Sequence, residues 1–589
     1  MSVPLSAPSP VPAGRAWLLG PLPDLLLGCG LGYMALVAAL ALLGPDLSRV
    51  QGWLPLVVLC TGVPHYGATL LRVYGTQEAR RRYARFAIGW TAAVWAAFLV
   101  GLRLPLAGSA LITLYLTWSP WHYTGQNYGL ALMFLGRRGV PVSAATKSLL
   151  RASFVLSYAL VFLAYHRASA AGGRDPMYAA SDSYRFLPLG IPDAVTRPLA
   201  LGLGGLWALV TALCLWRLAR ASRWRALVPA ALLVLTQALW FALPALGDQV
   251  ASAGYSAGVA AARAFLWIAI AHSVQYLWVS RYYARTAAAA GETSRAGGAR
   301  YYLQVLLAGS AIWTVPALLF APDALGRVPF ELGLGLLVAA AVNLHHFIID
   351  GAIWKLRDAR VGQVLIAGQG TVAGGGPRTG PPPARRGGPP PLTVLVLGAV
   401  GALSAASWAW ATWEKEVGQR RAYAAGDLER LERAASRLAL LGRDGPQIHV
   451  ALGRLKARRG LTPAALIEYQ QSLALAPTAA AWVGIGRLRE AQEDWHAALA
   501  AYQAALAADV GDTAARATAF DRSALVWLRL GDPGRALAAS EQALAAAPGR
   551  SSIQRHHAQV LAAAGRSTPS PNPTVSPSGS GESDLTADP

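Results

Sequence analysis

The chain has 589 residues, 54% of them hydrophobic and 14% charged, with a positive mean hydropathy. That balance leaves a purely soluble globule with too much apolar surface and predicts a chain that resides in a bilayer. The formal charge of +22 does not point to nucleic acid, which is excluded as a partner, because the arginines cluster between apolar runs where they set orientation and meet anionic headgroups of membrane lipid. Cys29, Cys60 and Cys214 are too far apart for a CxxC motif or an obvious disulfide framework.

Apolar stretches long enough to cross a hydrocarbon core of ~30 Å occur near 17–44, 51–74, 86–105, 108–135, 147–167, 198–219, 225–246, 256–283, 301–321 and 328–354. They predict about ten membrane helices in a polytopic domain over 1–358, the first retained rather than cleaved as a signal peptide. Residues 359–391, dense in Gly, Pro and Arg, read as a linker that builds neither helix nor core. An additional membrane helix over 392–412 follows it.

Basic clusters fall at every second loop. They comprise Arg72 to Arg85, then Arg137 to Arg151, Arg217 to Arg225, Arg281 to Arg300, and Lys355 to Arg360. Positively charged short loops stay cytoplasmic, so the N-terminus is expected inside, with the segment after 412 outside. In a bacterium that means an inner-membrane protein with a periplasmic C-terminal domain.

From about 420 the chain turns rich in Ala, Leu and Arg with a period near 34, the length of a helix-turn-helix tetratricopeptide unit. Leu452, Gly453, Gly460, Ala465, Tyr469 and Pro477 match its small and aromatic packing positions, and Trp482, Gly486, Ala498, Tyr502 and Ala505 repeat them 33 residues later. A third unit carries Phe520, Ala524, Gly531, Ala536, Ala543 and Pro548. Residues 420–566 are thus similar to the tetratricopeptide family, whose stacked units offer a concave surface to a protein or peptide partner. The tail, 567–589, is rich in Ser, Pro and acidic residues and reads as disordered. The fold class expected is all-α: a transmembrane bundle of about ten to eleven helices followed by an α-solenoid.

His65, His122, His272, His345 and His346 fall inside predicted spans, where an ionisable side chain is costly and marks binding, proton transfer or metal ligation. They lie on the second, fourth, eighth and tenth spans, which all run in one direction. Counting to the next basic residue puts them roughly 10 to 22 Å from the cytoplasmic boundary, in one layer. Gln126 follows His122 at i+4, Gln275 follows His272 at i+3 and Asp350 follows His346 at i+4. Such pairs share a helix face, and a metal-bound imidazole commonly gives its second N–H to a carboxylate or amide. Neutral imidazole suits iron, copper or zinc. Polar helix glue and a proton pathway are the alternatives. Arg263 and Asp24 are weaker signals, Asp24 falling near the same layer, and His166 sits at the opposite end of its span.

The phrase TGVPHYG around His65, together with several His-bearing helices, resembles the Brp/Blh group of membrane β-carotene-cleaving dioxygenases. The resemblance implies non-haem iron, with copper, zinc or haem as alternatives, and oxidation of a lipid or isoprenoid. It implies His65, His122, His272 and one of His345 or His346 as ligands, oriented by Gln126, Gln275 and Asp350. The HxxxH and HxxHH boxes of membrane desaturases are absent. Three other functions compete with this oxidoreductase: a membrane-anchored repeat scaffold, a lipid-linked glycosyltransferase needing an external acid such as Asp46, and a transporter, for which no interrupted helix pair is evident.

Overall fold

The computed structural model describes residues 16–42, 53–75, 77–168, 183–250, 257–289, 298–321, 325–326, 330–356, 358–367, 392–508 and 512–565. Most of the linker, the tail, Asp46 and the Arg263 side chain lie outside the described residues. The chain is all-α, and among the described residues the single β-type pairing is an isolated bridge between Arg167 and Ile191. It divides into two compact units, Met1–Thr412 and Trp413–Pro589.

The first unit is a bundle. Its helices are α1 (Pro21–Gly28), α2 (Leu31–Leu42), α3 (Leu54–Tyr74), α4 (Arg85–Gly101), α5 (Pro105–Arg137) and α6 (Ala144–His166). They are followed by α7 (Asp193–Ala221), α8 (Trp224–Gly247), α9 (Ala257–Ala289), α10 (Gly298–Leu319), α11 (Gly335–Ile353) and α12 (Leu392–Trp413). Among the described residues, seven helices are long and apolar enough to cross a membrane: α3, α6, α7, α8, α10, α11 and the run Leu395–Ala424 that contains most of α12.

The bent pair α1–α2 makes up to eight such spans, fewer than the ten to eleven expected. The difference has a physical origin. Helices α5 and α9 are 33 residues long, but His122, Gln126 and Asn127 in one and Arg263, His272 and Gln275 in the other dilute their apolarity. Helix α4 is a shorter apolar helix. The pair α1–α2 is bent by 61° at Cys29 and Gly30, so an interrupted helix is present where the sequence shows none. Its break is closed by side chains: Gln275 donates to the Gly28 carbonyl (3.0 Å) and Thr236 to that of Cys29 (2.9 Å).

Helices α3 and α10 approach as closely as backbones allow. A Cβ on Gly67 would sit 1.8 Å from the Val305 carbonyl oxygen, and one on Gly309 would sit 2.0 Å from that of Val63. Small residues at such crossings trade side-chain volume for backbone van der Waals contact. Gly401 brings α12 against Leu307 of α10, and Trp408 packs with Leu59 and Val63 of α3.

The second unit is a solenoid of antiparallel helix pairs. Its helices are α13 (Leu428–Leu440), α14 (Pro446–Arg458), α15 (Thr462–Leu475), α16 (Ala479–Ala491), α17 (Trp495–Ala508), α18 (Thr513–Arg529), α19 (Pro533–Ala546) and α20 (Ser551–Ala563). The repeat is a knob on a flat: Tyr469 lies over Gly453 and Gly484, and Tyr502 lies over Gly486, so that any Cβ there would meet a ring at 2.3 to 2.6 Å. Ion pairs link the layers. Arg522 of α18 forks onto Glu490 of α16 (2.8 and 2.9 Å), and Lys456 of α14 reaches Glu468 (2.7 Å) and Glu432 (3.0 Å).

His449 in α14 is held by two carboxylates, with Nδ1 2.8 Å from Glu468 and Nε2 4.0 Å from Asp444. Burial opposes its protonation, but Asp444 and Glu468 together outweigh that cost and push its pKa up to about 9.

A histidine whose pKa rises on folding contributes fully below its unfolded value near 6.5 and loses that contribution as pH climbs through the folded value. The repeat unit expressed alone should lose thermal stability between pH 6.5 and about 9, and His449→Gln should flatten that slope in melting curves. In the bundle, Gly309→Ala should cost about 1–3 kcal/mol by overpacking, read as a lower melting temperature in detergent; an unchanged midpoint would remove the close-approach argument.

Candidate metal centre

Each of four bundle helices delivers one imidazole to a common point: His65 from α3, His122 from α5, His272 from α9 and His346 from α11. One candidate ligand atom from each lies within 4.8 Å of all the others. The rings form a closed square. His65 stands 4.1 Å from His346 and 5.0 Å from His272, and His122 stands 5.1 Å from His346 and 5.0 Å from His272, each pair edge to face.

Prolines mark the local sequence of the two candidate ligands on α3 and α5. Pro64 immediately precedes His65 and Pro120 lies two residues before His122, both inside helices. A proline within a helix removes one N–H and frees the carbonyl four residues back. On α3 that carbonyl belongs to Cys60, and the Tyr302 hydroxyl donates to it at 2.5 Å.

The cluster is dry and its nitrogens are idle. His65, His272 and His346 are 1–2% exposed, while the His122 side chain keeps 11%. Both ring nitrogens of His65, both of His272, and Nε2 of His122 and His346 are buried with no hydrogen-bond partner. Buried polar atoms in folded proteins are nearly always paired, so several orphans facing one another mark a place where something else supplies the bonds. Ring stacking fixes the imidazole planes: Phe347 lies on His122 (4.4 Å, 26°) and Tyr123 on His272 (4.1 Å, 27°).

His345, the fifth histidine of the sequence pattern, is absent from this group. Its Nε2 is hydrogen bonded to Thr91 of α4 at 2.9 Å. Neighbouring residues on a helix point about 100° apart, so only one of the pair can face the square.

The supporting residues also take other partners than sequence adjacency suggests. Gln126 donates to Gln275 Oε1 (3.0 Å) and to the His272 carbonyl (3.2 Å) rather than to a ring, and Gln275 ties the broken N-terminal helix. Asp350 does face the site. Its Oδ1 accepts from Tyr276 (2.8 Å) and Thr69 (3.0 Å), and its Oδ2 lies 3.4 Å from His346 Nε2 and 3.9 Å from His122 Nε2.

Thr69 went unnoticed in the sequence, yet it sits at i+4 from His65, the same spacing that singled out Gln126. Its Oγ1 lies 3.0 Å from His346 Nδ1. The Thr69 hydroxyl has one proton and three polar neighbours, Asp350 Oδ1, the Tyr276 hydroxyl at 2.6 Å and His346 Nδ1; a neutral His346 that donates from Nδ1 turns its Nε2 lone pair toward the square.

The weaker signals resolve into structural roles. Asp24 accepts from the backbone of Leu18 (2.6 Å) and Leu19 (3.0 Å) and from Trp278 (2.9 Å), pinning the N-terminal segment. His166 is bonded to Thr117 (3.0 Å) and to the Leu189 backbone (3.2 Å). Trp278 is buried against Asp24 and Trp118 is partly buried against the core, while Trp121 is 42% exposed. An apolar cavity of about 630 Å³ bordered by Leu99, Arg103, Leu104 and Phe320 contains none of the histidines.

No family model matches the chain, and no curated protein matches it. Among solved structures, it is similar to the one titled "Crystal structure of APC/C hetero-tetramer Cut9-Hcn1", at 13% identity over 84% of this chain and 98% of that one, with a TM-score of 0.22. A likeness at that level assigns no residue and no role here.

A ligand that binds only the folded state raises stability by mass action, by about 2.7 kcal/mol at a hundredfold excess over its dissociation constant. Ferrous, zinc or cobalt ions should therefore raise the melting temperature of the chelator-treated protein in detergent. His272→Ala should abolish that shift and His345→Ala should retain it; equal behaviour of the two variants would sink the assignment of the square.

Proposed function

We propose that this chain is an integral membrane oxidoreductase: its bundle holds one metal ion between His65, His122, His272 and His346 to oxidise a lipid-soluble substrate, and its repeat unit recruits a protein partner. The observation that carries this reading is the convergence of four unpartnered imidazoles, on four separate helices, within 4.8 Å in a dry core. Packing alone would place polar side chains where they pair with one another, as Asn127, Gln237, Thr124 and Ser157 do nearby. Ligand atoms gathered this tightly favour a single bare ion over haem, whose macrocycle would have to pass between them. Iron suits an imidazole-rich site with carboxylate nearby, and zinc or copper are the competing occupants.

When bound, such an ion supplies Lewis-acid and one-electron chemistry, including the handling of dioxygen. The chain's own residues do the rest. Thr69 holds Nδ1 of His346, and Phe347 and Tyr123 clamp two of the rings. Leu337, Val338 and Leu344 of α11, with Ile112 and Leu116 of α5, form part of a core that excludes water. The most exposed member of the square is His122, on a helix that also presents Trp121 and Leu114 to the outside at 42% and 49%. Exposed apolar side chains beside His122 suit a substrate arriving from lipid, such as an isoprenoid.

Counting α4, α5 and α9 as further crossings gives ten spans before the linker and one after it. With the basic clusters inside, the repeat unit then lies outside the membrane, which in a bacterium is the periplasm. The concave face of the solenoid is the surface for a peptide or protein.

Elemental analysis of the detergent-purified chain should find about one transition-metal ion per chain, lost in a folded His122→Ala, His272→Ala double variant. Membrane lipids and isoprenoids incubated aerobically with the loaded wild type, and not with that variant, should yield oxygenated products by mass spectrometry. Absence of metal in both proteins after reconstitution with each ion would shift the reading to a membrane-anchored scaffold.

A further inference from the structure

Asp350 is held in an arrangement that hydrogen bonding alone does not explain. The hydrogen bonds found to its carboxylate, from Tyr276 at 2.8 Å and Thr69 at 3.0 Å, both end on Oδ1. Tyr276 is itself anchored, its hydroxyl accepting from Trp354 Nε1 at 3.0 Å. Oδ2 is thereby directed at the square, 3.4 Å from His346 Nε2 and 3.9 Å from His122 Nε2.

Neither separation is a hydrogen bond, and both nitrogens lack any other partner. His346 is engaged by Thr69 at Nδ1, which leaves Nε2 as the nitrogen that faces Oδ2. Two atoms that each bond one ion at about 2.0–2.2 Å stand about 3.0 Å apart at a right angle and 3.4 Å at a tetrahedral one, and farther at wider angles. The spacings from Oδ2 to these two nitrogens are those of co-ligands, while the carboxylate stands outside the set of four histidine nitrogens that lie within 4.8 Å of one another, so coordination draws it inward.

Charge points the same way. Asp350 is 5% exposed, and among the described residues no lysine or arginine lies within ion-pair distance of it, Arg72 acting on it only from farther away. A buried carboxylate without a cation in contact is costly, and so is a dication surrounded only by neutral imidazoles. Direct coordination relieves both.

We propose that Asp350 Oδ2 is a fifth ligand, making a sphere of four histidines and one carboxylate; this rests on the reading of the histidine square as a metal centre. Asp350 is then a ligand rather than a residue that orients His346, and Thr69 and Tyr276 are the positioning residues that hold the carboxylate monodentate. A carboxylate among imidazoles turns the preference away from cuprous copper toward harder divalent ions.

Cobalt substitution of the full-length protein in detergent separates the two levels of this argument, because four-coordinate cobalt(II) absorbs more intensely in the visible than five-coordinate. The wild type should bind one cobalt with weak five-coordinate bands. Asp350→Asn should bind at least about tenfold more weakly, with stronger four-coordinate bands. Identical affinity and spectrum in the two proteins would overturn the fifth ligand while leaving the square intact; failure of the wild type to bind stoichiometric cobalt would overturn the metal reading and the proposal with it. Should the variant not fold, infrared difference spectra of the wild type decide the matter: cobalt addition should widen the splitting of one carboxylate's stretching bands to that of a monodentate ligand, and no change in the carboxylate region would refute it.

Discussion

Six helices of the bundle meet a single constraint: imidazole nitrogens of His65, His122, His272 and His346 are removed from water without hydrogen-bond partners. Each such atom costs free energy unless something supplies the missing bond. The aromatic faces of Phe347 and Tyr123 add to the isolation, since a stacked ring leaves only the in-plane lone pairs as a route to a partner. Convergence on one point is the arrangement in which a single ion can take one nitrogen from each of the four rings at once. The two remaining helices, α1 and α10, act through contacts around the site: α1 through Gln275 and α10 through the close crossing with α3.

Irregularities of the helices serve that point. Pro64 and Pro120 stand beside ligands, and the carbonyl freed by Pro64 is capped from α10 by Tyr302. Gly67, two residues past His65, lets α10 press against α3 on the flank of the ligand. The bend between α1 and α2 brings the Gly28 carbonyl to Gln275, three residues beyond His272. The freed carbonyl on α3 and those at the bend between α1 and α2 are each taken by a named side chain, which is how a bilayer-length helix tolerates such breaks.

The solenoid works on different physics. Its pairs are held by flat glycines beneath tyrosines and by ion pairs between successive layers, such as Arg522 with Glu490 and His556 with Asp521 at 2.9 Å. Polar groups there are paired almost throughout, in contrast to the idle nitrogens of the bundle. That contrast sets a unit whose polar groups pair with one another apart from one whose core gathers unpartnered nitrogens.

The amino-acid sequence by itself determined the helical class, the repeat and most of the apolar segments, because hydropathy and periodicity are local. Gly453 and Tyr469 recur as Gly486 and Tyr502 at the same separation, and no distant contact is needed to see it. It also confined the site to five histidines, since a titratable ring in an apolar helix is conspicuous wherever the helix goes. Spacing along one helix could have found Thr69, four residues beyond His65, but could not show that it serves His346 on another helix.

Only the tertiary structure decided that His346 faces the square and His345 faces Thr91, because adjacent residues look equivalent until the neighbouring helices are in place. It also moved Gln126 and Gln275 from ring supports to a bridge between helices, since a side chain on a shared face bonds to whatever packs against that face. The direction of the Asp350 carboxylate belongs to the same class of fact. It is set by Thr69 and Tyr276, which lie 281 and 74 residues away along the chain, and a pattern read along one helix carries no information about groups that only folding brings together.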